Sequence, residues 1–138
     1  MSFITINDLL SAIYPEQLDA ITRNDDALPQ FGIDAAIEEM KGYLAPKYDV
    51  VTIFAKAGAL RNNLLVVLSR DMAVYHILSL SNPGINFESK KARYDRAIEW
   101  LKQVQRDQVN PPDLEKKIID VANNRILMSS NTKRREHY

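Results

Sequence analysis

Apolar residues along much of this 138-residue chain recur at three- and four-residue steps, the period of a helix with one buried face. From about Gln30, Ile33, Ala36, Ile37, Met40, Tyr43 and Leu44 keep that step, while Asp34, Glu38, Glu39 and Lys41 face away. Pro46 disfavours helical geometry at Ala45, so this helix is expected to end there. The most apolar helix is expected over 64 to about 80, capped by Asn62 or Asn63. Ser81-Asn82-Pro83-Gly84 is a turn signal. Beyond it, Asn86 is placed to cap a long amphipathic helix running to about Val109. Tyr94, Ala97, Ile98, Leu101 and Val104 form its buried stripe, and Pro111-Pro112 ends it.

Other stretches carry weaker periodicity. Thr5 or Asn7 is placed to cap a short run with Leu9, Leu10 and Ile13. Pro15 interrupts that run and opens a second short helix with Leu18 and Ile21 on one side. Residues 22–29, with Asn24, Asp25, Asp26 and Pro29, predict a loop. Residues 48–60 show no alternation and predict an irregular packed segment. The tail allows either a helix through Leu114, Ile118 and Val121 or a hairpin around Asn123-Asn124. Residues 129–138 have few apolar positions, so by themselves they are expected to be extended and mobile.

The expected fold class is all-α: a small helical bundle with one long C-terminal amphipathic helix, an irregular segment after residue 46, and an extended or hairpin tail. Residues 1–110 form the helical domain, and residues 111–138 form an extension, flexible or docked on a partner.

Composition narrows the function classes. With 18 basic and 18 acidic residues the formal charge is zero, so no general field for polyanions is built in. There is no cysteine, which removes disulfides, thiolate metal sites and thiol nucleophiles. The start of the chain lacks the basic and apolar regions of a signal peptide. The longest apolar run, Leu64 to Leu68, is far short of the roughly 20 residues that span a bilayer. A soluble, unprocessed protein is the expectation, with no membrane partner.

Candidate chemistry is sparse. Asp71 falls on the stripe of Leu64, Leu68, Tyr75 and Leu78, where a carboxylate is desolvated and requires a partner. Arg61, Arg93 or a tyrosine hydroxyl is expected to supply one. Two readings follow: a general base with a raised pKa, or a buried hydrogen-bonded carboxylate that fixes helix register, the second being preferred. His76 and His137 are the only histidines and lie far apart; His76 is expected at a helix surface or a subunit contact. Asn24-Asp25-Asp26 lacks the glycine and glutamate of a calcium loop. The four glycines form no phosphate cradle, and no nucleophile elbow occurs. No catalytic residue, metal or cofactor is therefore assigned, and the chain is expected not to be an enzyme. Lys133, Arg134, Arg135 and Tyr138 are the candidate partner contacts. Tyr43, Tyr48, Tyr75, Tyr94 and Trp100 serve either as core or as interface anchors.

Three segments carry a family resemblance: Tyr43-Leu44 with Tyr48; Asp71-Met72-Ala73-Val74-Tyr75; and Arg93-Tyr94 with Trp100-Leu101. On these, over about residues 5 to 109, the chain resembles the gene-product-36 family of Mu-like phages and prophages, while the tail after Pro111 departs from its shorter members. The resemblance implies a virion structural protein of the head–tail connector type. Its partners would be further copies of itself in a ring, the portal or other head and neck proteins, and, passively, passing DNA. It also implies the host cytoplasm during assembly and the virion neck afterwards. A small helical adaptor or regulatory module that binds nucleic acid or protein is the alternative.

Overall fold

The computed structural model describes residues 2–79 and 87–118. The expected turn at 81–84, the Asn86 cap, the helix-or-hairpin choice in the tail, and Lys133, Arg134, Arg135, His137 and Tyr138 lie outside the described residues. Within them the chain is all-α, as the periodicity predicts. Its helices are α1 (Ile6–Leu9), α2 (Pro15–Thr22), α3 (Ala27–Leu44), α4 (Val50–Ala55), α5 (Asn63–Leu78) and α6 (Phe87–Gln105), and a 3₁₀ turn spans Gly58–Leu60. None of these helices is long and apolar enough to cross a membrane.

Helix α5 is the central rod. It packs most extensively on α3, next on α6, and α3 also meets α6. The core includes Ile33, Met40 and Leu44 from α3; Leu65, Met72 and Ile77 from α5; and Leu101 from α6. Gly32 lets α3 approach α5 closely: a Cβ there would lie 2.6 Å from Ile77 Cγ1 and 3.1 Å from the Ala73 carbonyl.

Caps set most boundaries. Thr5 and Asp8 form a capping box on α1. Pro15 opens α2 at a position where its missing N–H costs nothing. Asn62, one of the two expected caps, accepts from the Leu65 N–H at 3.1 Å.

Three boundaries differ from the sequence expectation. Helix α3 starts at Ala27, so Pro29 belongs to its first turn instead of closing a loop. A first-turn residue has no intrahelical acceptor for its N–H, so proline is tolerated there. Arg23 and Asn24, with φ of 55° and 60°, reverse the chain within the shortened loop. Residues 48–60, expected to be irregular, contain α4 and the 3₁₀ turn. The β-branched run of Val50 to Ile53 is a weak helix former, but Asp49 caps it by accepting from the Thr52 N–H and hydroxyl. Tertiary packing then buries Ile53 and Phe54.

Helix α6 stops at Gln105, before Pro111-Pro112. Asp107 takes a left-handed φ of 63°, its N–H returns to the Val104 carbonyl, and the Gln108 N–H returns to the Gln103 carbonyl. This is a Schellman stop built without glycine. Lys47 compensates from across the fold. Its ammonium donates to the Gln105 and Val104 carbonyls at 2.9 and 3.3 Å and pairs with the Asp107 carboxylate. Residues 111–118, the start of the extension, lie against the bundle. Leu114 is buried, Lys56 pairs with Glu115, and an antiparallel bridge joins Tyr48 to Lys116.

Candidate functional site

The polar and aromatic side chains of the bundle gather along the seam between α5 and α6. Asp71 sits there, 3% exposed. Its Oδ1 accepts from Arg70 Nη2 at 3.2 Å and Nε at 3.4 Å, and its Oδ2 faces Arg96 Nη2 at 3.8 Å. The expected partners are corrected accordingly. Arg61 instead donates to Asp8 at 2.8 Å and to the Phe3 carbonyl at 2.9 Å, and Tyr94 donates elsewhere. Arg70 reaches on to Ser11 Oγ at 2.9 Å, which ties α5 to the corner between α1 and α2. Asp71 is thus a buried carboxylate with a guanidinium near each oxygen, one bonded to Oδ1 and one facing Oδ2.

Nearer the end of α5, Tyr75 and His76 meet Tyr94 and Phe87 of α6. Ring centroids lie 4.2 Å apart for Tyr75–Tyr94, 5.5 Å for His76–Tyr94 and 5.6 Å for Tyr75–Phe87. The Tyr94 hydroxyl donates to Glu39 Oε1 of α3 at 2.6 Å. Burial first, and the Glu39 carboxylate second, raise the Tyr94 phenol well above its ordinary pKa. His76 is half-buried rather than an open surface residue. Its Nε2 is covered, makes no hydrogen bond among the described residues, and lies 3.9 Å from Glu39 Oε2, beyond bonding reach.

Two surface hollows flank this seam. One, of about 300 Å³, lies where α6 passes the α1–α2 corner, lined by Ser11, Tyr14, Gln17, Lys90 and Arg93 among others. The Lys90 ammonium turns inward to the Ala12 carbonyl. Burial, with Arg93 and Arg70 nearby, lowers its pKa, and Asp71 opposes that shift. The second hollow, of about 610 Å³, is a groove between the 3₁₀ turn, the start of α5, Trp100 of α6 and the Pro111-Pro112 segment. Leu60 and Leu64 line it, 77% and 45% exposed. Elsewhere Phe31 on α3 is 62% exposed.

Among the described residues no three His, Asp or Glu side chains gather closely enough to hold a metal ion. Tyr48 is buried, Tyr43 and Trp100 are partly buried against the core, and Tyr75 and Tyr94 are half-buried in the ring cluster. The groove and the Lys90–Arg93 recess were not singled out from sequence. A signal for the recess was present: Lys90, Arg93 and Arg96 follow one another at three-residue steps, a spacing that makes successive cations neighbours on a helix. No signal marked the groove, because its walls come from three separate stretches of chain.

No protein family, no curated protein and no solved structure matches this chain.

Proposed function

We propose that this chain is a virion structural subunit of a phage or prophage, a head–tail connector that works by assembling with copies of itself and with portal or other neck proteins. It would act in the host cytoplasm during assembly and then in the neck. The observation that carries this reading is the groove beside Trp100, with Leu60 and Leu64 exposed on its wall. The groove sets exposed leucines, Trp100 and two prolines among charged and amide side chains, a mixture found at surfaces that meet other proteins. Phe31, on α3 and outside that groove, offers a second and different apolar contact. A head-to-tail contact needs two unlike surfaces, and such a contact closes into a ring when its rotation permits. Asp71, Asp8 and Lys47 join separate segments of the bundle: Asp71 faces Arg96 of α6, Asp8 pairs with Arg61, and Lys47 holds the end of α6. The resemblance of the Tyr43, Asp71 and Trp100 segments to the connector-like family supports the same role.

Native mass spectrometry of the chain alone and mixed with a portal protein from a Mu-like phage tests this. Rings or a portal complex are expected, and Leu60→Asp with Leu64→Asp should abolish them while leaving the helical spectrum intact. A chain that stays monomeric in every mixture overturns the reading. Salt-sensitive DNA binding by that monomer would then favour the adaptor alternative.

A further inference from the structure

The recess at the α1–α2 corner carries more positive charge than its surroundings neutralise. Arg70, Lys90, Arg93 and Arg96 all come from the α5–α6 seam, and Asp71 is the carboxylate set among them. Asp71 is already engaged by Arg70 and Arg96. Arg93 makes no ion pair or hydrogen bond among the described residues, although it lines the recess. Lys90 is half-buried, and its ammonium has the Ala12 carbonyl as its hydrogen-bond partner. A backbone carbonyl satisfies one of the three donors of an ammonium, and Asp71, shared with two guanidinium groups, compensates its charge only in part. The lowered pKa of Lys90 reflects the same crowding: burial disfavours its charged form, and neighbouring Arg93 adds to the effect. Lys90 is a partly desolvated cation with little counter-charge among the described residues, and an arriving anion held by it and by exposed Arg93 relieves that cost.

The volume and lining limit which anion fits. About 300 Å³ lies at the small end of ligand sites, too little for a large cofactor and adequate for one or two phosphate groups. Tyr14 and Gln17 add a hydroxyl and an amide to the wall. Arg93 offers the planar guanidinium fork that matches tetrahedral oxyanions.

We propose that this recess is a phosphate-group site in which Lys90 and Arg93 supply the charge-assisted hydrogen bonds. The proposal is independent of the assembly reading, since the groove beside Trp100 shares none of these residues. Phosphate as a free ion or diphosphate and phosphate in a nucleic-acid backbone share this chemistry, so the test carries both as probes.

The full chain is titrated calorimetrically with inorganic phosphate, with pyrophosphate and with a short DNA duplex, each at matched ionic strength in chloride. Saturable binding of at least one probe is expected, and Arg93→Gln should weaken it about tenfold, with Lys90→Gln acting in the same direction. Arg23→Gln, which removes a cation outside the recess, should leave it unchanged. Binding confined to pyrophosphate identifies a free phosphate as the ligand. Duplex binding that weakens with salt and depends on Arg93 identifies the nucleic-acid backbone. If no probe saturates, or if Arg23→Gln weakens binding as much as Arg93→Gln, the site does not exist. Far-UV circular dichroism of each variant confirms that the helices persist, and Arg93 is exposed enough for its loss not to threaten them.

Discussion

Along α5, the face toward α3 is dry and close, whereas the edge toward α6 is polar and aromatic. On the first, Gly32, Ile33, Ala36 and Met40 meet Met72, Ala73 and Ile77, and the helices approach as near as Gly32 allows. On the second, Asp71, Tyr75 and His76 meet Phe87, Tyr94 and Arg96 through ring contacts and one ion-paired carboxylate, and the Tyr94 hydroxyl bonds on to Glu39 of α3. The α3 seam is fixed by shape, and misfit there is felt at once. The α6 seam is fixed by pairing, which depends on protonation and leaves cations over at its edge. The proposed phosphate site therefore falls on the α6 side, while the α3 seam holds the frame.

Breaking the shape-fixed seam should have the largest effect. Ile77→Ala should cost about 3 kcal/mol in urea denaturation, since Ile77 is fully buried. Gly32→Ala should cost about 2 kcal/mol despite alanine's better helix propensity, because its Cβ meets Ile77. The double variant should fall short of the sum by about 1 kcal/mol, since the first change removes the atoms the second strikes. Strict additivity would mean that the close approach is not what Gly32 provides.

At the pairing-fixed seam, Asp71→Asn should cost about 2 kcal/mol by leaving Arg70 facing a neutral amide. Arg96→Gln, at the far and exposed end of the same carboxylate, should cost less than about 0.5 kcal/mol. Equal effects would show that Arg96, rather than Arg70, is the partner that matters.

The protonation dependence sharpens the contrast. The Tyr94 phenol is raised in the folded protein, so its contribution is complete below its unfolded pKa of about 10 and is lost as pH rises further. Tyr94→Phe should therefore flatten the alkaline loss of stability, while Gly32→Ala should leave that slope alone.

At the foot of α5, Asp8 gives the opposite sign. Burial pushes its carboxyl up, but Arg61 and the Thr5 donors outweigh burial and hold it below the ordinary value. Its contribution is present above the unfolded pKa of about 4 and is lost as pH falls through the folded value. Asp8→Asn should cost about 1 kcal/mol near neutral pH and reduce the acid slope, read by thermal melts across pH.

Much of this fold was legible because it is written in local periodicity. The α3 stripe, the Asn62 cap and Pro15 at the start of α2 each depend on residues within a few positions of one another. The short α4 was not legible, since six residues cannot display a period and Val50 to Ile53 argue locally against a helix. The end of α6 was missed for a related reason: Asp107 takes a left-handed conformation with Lys47, sixty residues away, holding the helix end. Asp71 was recognisable as a desolvated carboxylate from its stripe, yet its neighbours Arg70 and Arg96 were not chosen over Arg61 and Arg93. Which guanidinium reaches it depends on how α5 and α6 cross.

The amino-acid order alone thus determined the helical class and which face of α3, α5 and α6 turns inward, because burial of an apolar stripe is a local pattern with a fixed period. The tertiary structure decided which charges meet, which remain unmatched beside Ser11 and Tyr14, and where a groove opens beside Trp100. Those outcomes depend on distances between segments remote in sequence, and no single segment encodes them.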